Sequence, residues 1–116
     1  MNGRLTTHVL DTAAGRPASG IPIQLFEISD GGVARLLAET TTNEGGRTAE
    51  PLLRGDAFRV GLYEIVFHVG AHFGVEGDGP PFLDRIAIRL GISDPDAAYH
   101  VPLLVSLWSY STYRGS

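Results

Sequence analysis

Residues 63–69 read Tyr63-Glu64-Ile65-Val66-Phe67-His68-Val69. Tyr63, Ile65, Phe67 and Val69 alternate with Glu64, Val66 and His68, the period of two of a strand with one face in a core. Working outward, Arg85-Ile86-Ala87-Ile88-Arg89-Leu90 alternates in the same way. Between the two strands, Gly70 to Pro81 holds four glycines and two consecutive prolines, which leaves room for at most one short helical turn, near Ala71-His72-Phe73. Upstream, Ile21 to Ser29 is a strand apolar on both parities, and Asp30-Gly31-Gly32 turns it into a hairpin with Val33 to Thr42. Asn43-Glu44-Gly45-Gly46 makes another turn, and Arg47-Thr48 opens a short or edge segment leading into the irregular Pro51 to Asp56.

Near the ends, Leu5 to Asp11 is β-branched and extended, and Ala14-Gly15-Arg16-Pro17 stops it. Ser93-Asp94-Pro95-Asp96 turns the chain into Tyr99 to Ser106, and Tyr110 to Ser116 follows as the last strand. Seven or eight short strands without helical periodicity predict an all-β chain, folded as a two-sheet sandwich rather than a barrel. With 116 residues, the expectation is one domain over 1–116. Val101 to Trp108 is apolar on both parities, and a strand facing water would be apolar on one side only. A second chain covering that face, and hence a homo-oligomer, is expected.

Composition narrows the chemistry. Cysteine is absent, which removes thiolate nucleophiles and cysteine-ligated zinc, and lysine is absent, which removes Schiff-base catalysis. A net charge of −4 offers no field for nucleic acid or an anionic membrane. No segment reaches the length of an apolar membrane span and the first residues lack the apolar stretch of a secretory signal, so a cytoplasmic protein is expected. Gly74 to Gly79 lacks the Gly-Lys-Ser/Thr and the following helix of a phosphate loop. The serines near the C-terminus lack a Gly-x-Ser-x-Gly elbow.

Four histidines remain. His8 shares a strand face with Thr6 and Leu10, opposite Leu5, Thr7 and Val9; His100 shares one with Pro102 and Leu104, opposite Tyr99 and Val101. Both rings therefore belong to faces directed away from the subunit core, where a covering chain would enclose them in a partly dry cleft suited to acid–base work. His68 and His72 have the four-residue spacing of helical metal ligands, but in a strand that spacing is about 13 Å. No third ligand is apparent, no metal is expected, and His68 reads as an exposed strand residue near Glu64.

Leu5-Thr6-Thr7-His8-Val9-Leu10-Asp11, then Gly46-Arg47-Thr48, then Tyr99-His100-Val101-Pro102-Leu103-Leu104, and the closing Ser109-Tyr110-Ser111-Thr112-Tyr113-Arg114-Gly115-Ser116 resemble the transthyretin-like 5-hydroxyisourate hydrolases. The resemblance covers essentially the whole chain. It implies an eight-stranded transthyretin-like sandwich with one short helix, assembled as a homotetramer around a central channel. It also implies hydrolysis of 5-hydroxyisourate to 2-oxo-4-hydroxy-4-carboxy-5-ureidoimidazoline, with neither metal nor organic cofactor. The family's catalytic positions fall on His8, Arg47, His100 and Ser116, and its substrate-binding positions on His8, Arg47, Tyr113, Arg114, Gly115 and Ser116. Leu107 stands where the family usually has Pro, and Gly45 where Asp is common.

Alternation along the last strand places Tyr113 and Gly115 on one face and Arg114 and Ser116 on the other. If Tyr113 faces the channel, Arg114 points away into a structural role, such as a surface salt bridge. Two other classes compete with the hydrolase: a carrier that holds a small molecule in the same channel without chemistry, and an interaction module. A carrier channel would replace the His and Arg groups with apolar or small residues.

Overall fold

The computed structural model describes residues 2–74 and 79–115. Nine extended segments run in chain order: β1 (Arg4–Asp11), β2 (Arg16–Pro17), β3 (Pro22–Ile28), β4 (Ala34–Thr41), β5 (Leu53–Arg54), β6 (Gly61–His68), β7 (Arg85–Ile92), β8 (Ala98–Val105) and β9 (Tyr110–Thr112). One sheet has the order β2-β1-β8-β9, with β5 also on β1; the other has the order β4-β3-β6-β7. All pairings are antiparallel except β1 with β8, which run parallel with Thr6 opposite His100 and His8 opposite Pro102.

The alternation that predicts the strands also builds the core. Leu5 and Val9 of β1, Ile23 and Leu25 of β3, Tyr63, Ile65 and Phe67 of β6, and Leu103 of β8 are buried between the sheets. β3 shows why a strand can be apolar on both parities. Its buried residues shift from odd numbers, Ile23 and Leu25, to Ile28, and the register against β4 shifts between Leu25 and Phe26. A bulge of this kind lets the inward face change parity without leaving the sheet.

Buried polar groups on the inward parity all have partners. Thr7 Oγ1 donates to Val101 O at 2.6 Å. Asp11, 7% exposed, accepts from Ala14 N at 2.9 Å and pairs with His72 Nε2 at 2.9 Å. Burial raises the Asp11 pKa, but the two hydrogen bonds and the neighbouring imidazole outweigh it, and the carboxyl titrates below its ordinary 3.8.

The helical turn expected at Ala71-His72-Phe73 is replaced by simple turns, with His72 N bonded to Val69 O at 3.1 Å and Gly74 N to Ala71 O at 3.3 Å. The His72 ring is drawn to Asp11 and packs edge-on against Phe73, and Gly74, at φ +59°, breaks any helical run. The one helical element among the described residues is a 3-10 turn at Gly55–Ala57, inside the segment read as irregular. The last strand is shorter than expected. β9 ends at Thr112, and pairing returns only as an isolated bridge between His100 and Gly115.

Candidate active site

The outward parity of β1 carries Arg4, Thr6, His8 and Leu10, and that of β8 carries His100, Pro102 and Leu104. Parallel pairing aligns the two rows, so His8 and His100 lie on the same face of one sheet from positions 92 residues apart in sequence. Both rings are half-buried. A third strand fragment brings the guanidinium: Arg47 forms an isolated antiparallel bridge with His8, and Val9 N donates to Gly46 O at 2.8 Å.

The turn before Arg47 is built around Asn43. Its Oδ1 accepts from Gly45 N at 2.9 Å and Arg47 N at 3.2 Å, while its main-chain N and O bond to Arg47 O and Gly46 N. That turn presents Gly45 O to His8 Nε2 at 2.8 Å. A carbonyl only accepts, so Nε2 of His8 carries the proton and the neutral ring keeps its lone pair on Nδ1. Gly46 sits at φ +75°, and a Cβ there would collide with Val9 O.

His100 is fixed from two sides. Its Nδ1 is 2.8 Å from Thr6 Oγ1, and the Gly115 main chain lies against the ring, so close that a Cβ at 115 would come within 2.7 Å of Cδ2. Gly115 N also donates to His100 O at 2.7 Å. Burial, then the charge of Arg47, then that of His8 lower the His100 pKa below its ordinary 6.5. A cleft of about 440 Å³ opens beside these groups, lined by Thr6, Arg47 and His100 together with Arg4, Thr48 and Glu50.

Of the residues singled out from the sequence, His8, Arg47, His100 and Gly115 converge here. Arg114 does not. Its guanidinium stacks 4.1 Å over the Tyr99 ring and its Nη2 donates to Ala98 O at 3.3 Å, on the core side of β8. The guanidinium is thus engaged by Tyr99 and Ala98 rather than by His8 or His100, through a cation–π contact and not a surface salt bridge. Tyr113, 58% exposed, lies beyond the end of β9, lines a separate cleft with Tyr99 and Arg114, and forms no hydrogen bond among the described residues. Ser116 lies outside the described residues. His68 and His72 part company: Nε2 of His68 is 2.7 Å from Gln24 Oε1, so its polar partner is Gln24 rather than Glu64, whose carboxylate pairs with Arg89 at 3.2 Å. His72 is committed to Asp11.

Sequence reasoning missed Thr6 and Asn43 as parts of the site. Thr6 carried a usable signal, because it shares the outward parity of His8. Asn43 carried only the composition of a turn, and its hold on both Gly45 and Arg47 is a three-dimensional fact.

A family model described as the HIUase/Transthyretin family matches residues 5–115. The chain belongs to this family. Among its relatives, the 5-hydroxyisourate hydrolase 2 of Rhizobium meliloti is 51% identical, over 99% of this chain and 98% of that protein. The 5-hydroxyisourate hydrolase of Klebsiella pneumoniae superposes with a TM-score of 0.80 at 31% identity, over the whole of both chains. A crystal structure of an (S)-allantoin synthase superposes with a TM-score of 0.90 at 50% identity, over 98% of this chain; the chain spans 44% of that longer protein. The two-sheet, almost helix-free architecture described above is thus the transthyretin-like sandwich of the family.

Proposed function

We propose that this chain hydrolyses 5-hydroxyisourate to 2-oxo-4-hydroxy-4-carboxy-5-ureidoimidazoline, a step of urate breakdown in the cytoplasm. The observation that carries this reading is the meeting of His8, Arg47 and His100 on one outward sheet face, in a chain about half identical to a protein named for that activity. Opening the cyclic ureide needs a base for water, a donor for the oxyanion and a proton for the leaving nitrogen. His8 and His100 divide the proton and donor work, and Arg47, with its planar fork of donors, holds substrate oxygens and the developing negative charge. Gly115, at the last described end of the chain, pairs with His100, and Ser116 and Tyr113 take the substrate-orienting role that the family resemblance gives them. Arg114 serves the site by anchoring that end on Tyr99 and Ala98.

The working unit in this reading is a homotetramer. Leu10 and Leu104 are only half-buried on the histidine-bearing face. Apolar area of this kind is what a second sheet would cover. A carrier of apolar ligands fits the site less well, because its cleft is lined by Arg4, Thr6, Arg47 and His100. Generating 5-hydroxyisourate in place with urate oxidase and following its ultraviolet decay tests the activity: the protein should accelerate the decay in proportion to its concentration. Decay at the spontaneous rate would overturn the assignment.

A further inference from the structure

The two imidazoles are tethered through opposite nitrogens. His8 is held by Nε2 to a carbonyl and offers Nδ1; His100 is held by Nδ1 to a hydroxyl and offers Nε2. Thr6 and His100 are Cα partners in the parallel β1–β8 register, so their side chains rise from the same face at the same level. The Thr6 hydroxyl makes no other hydrogen bond among the described residues, so within the protein Nδ1 of His100 is the acceptor in reach of its proton. A half-buried hydroxyl is stabilised by donating, and an imidazole nitrogen that accepts must be unprotonated. We propose that Thr6 is a positioning residue for the hydrolysis: it donates to His100 Nδ1, holds the ring in its neutral Nε2–H tautomer and so turns a hydrogen-bond donor, not a base, toward the cleft.

The surrounding charges agree with a neutral ring. The charge of Arg47 acts on His100, Arg4 lines the same cleft, and the cleft's one carboxylate, Glu50, is 3.4 Å from the Arg54 guanidinium. Gly115 lies against the Cδ2–Cγ edge of the ring, and Nε2 has no hydrogen-bond partner among the described residues. This inference rests on the hydrolase reading and assigns its roles. Nδ1 of His8 takes a proton from water as the water oxygen bonds to the carbonyl carbon. Nε2–H of His100 and Arg47 hold the oxyanion. The ring C–N bond then breaks, the proton passes from His8 to the leaving nitrogen, and the new carboxyl group ionises. A neutral imidazole used as an electrophile avoids a proton transfer to an oxyanion that needs only stabilisation.

The test is nitrogen-15 NMR of the histidine rings in the substrate-free protein, with His100→Gln to assign the signals. Above its titration, His100 should show a protonated Nε2 and an acceptor-type Nδ1. Thr6→Val should mix the two tautomers, raise the His100 pKa by removing a donor to the neutral form, and lower kcat about tenfold with KM changed less than about twofold. Thr6→Ser should restore the ring signals and most of kcat. A protonated Nδ1 in the wild-type protein, or a Thr6→Val variant with unchanged ring signals and kcat, would overturn the proposal. Because the ring signals are read without substrate, inactivity toward 5-hydroxyisourate would count against the functional reading, while the tautomer would still be decided by NMR.

Discussion

Two adjacent glycines ought to respond in opposite ways to the same substitution. At Gly46, alanine would have to adopt φ +75° and place its Cβ against Val9 O, with Pro17 Cβ at 3.0 Å and His8 Cδ2 at 3.2 Å. The left-handed backbone costs a non-glycine residue about 1–2 kcal/mol. Relieving the overlap moves main chain away from main chain and strains the 2.8 Å bond from Val9 N to Gly46 O, worth about 1 kcal/mol. The total, about 2–3 kcal/mol, should lower Tm by roughly 10 °C in a domain of this size. Turnover should fall as well, because the displaced turn carries both Arg47 and the carbonyl that holds His8. At Gly45 the backbone is ordinary, and the nearest neighbour of an added Cβ is Asn43 Oδ1 at 3.4 Å, so Gly45→Ala should change stability by less than about 0.5 kcal/mol. Thermal melts followed by circular dichroism, with decay assays on the same samples, read both effects. Equal melting temperatures for the two variants, or wild-type turnover in Gly46→Ala, would refute the account of the turn.

Other consequences are as direct. His100→Asn should reduce turnover about 10²–10⁴-fold with an unchanged melting temperature, and retained activity would remove His100 from the mechanism. The His100 ring, titrated by NMR, should have its midpoint below 6.5, and Arg47→Gln should move it upward while burial, the larger cause, keeps it under the ordinary value. Since the folded pKa is the depressed one, the His100 contribution to stability is complete above pH 6.5 and is lost as pH falls through the folded value. Asp11→Asn, which loses the charged acceptor shared by Ala14 N and His72, should cost about 1–3 kcal/mol in urea unfolding at neutral pH. The Asp11 pKa is also depressed, so its contribution is present above 3.8 and lost below it, and the variant should show a flatter acid limb of stability.

The inward row of β6 and β8 was legible residue by residue: Tyr63, Ile65, Phe67, Tyr99, Val101 and Leu103 are inside, as their alternation requires. The reading faltered where a side chain far along the chain decides the backbone. His72 gives up any helical turn for Asp11, sixty-one positions away, and local propensity holds no record of that partner. The last strand breaks after Thr112, where Arg114 turns its guanidinium onto Tyr99, so continuous alternation to the end was an over-extension.

Alone, the order of residues determined that His8 and His100 face outward, because side chains in any extended segment alternate regardless of what lies beside them. It also determined the absence of thiol and lysine chemistry, which is a matter of composition. Which outward residues meet was decided only by the tertiary structure. The parallel pairing of β1 with β8 and the bridge of Arg47 to His8 are non-local hydrogen-bond choices, and they convert separate faces into one site with Thr6 behind one ring and Gly45 behind the other.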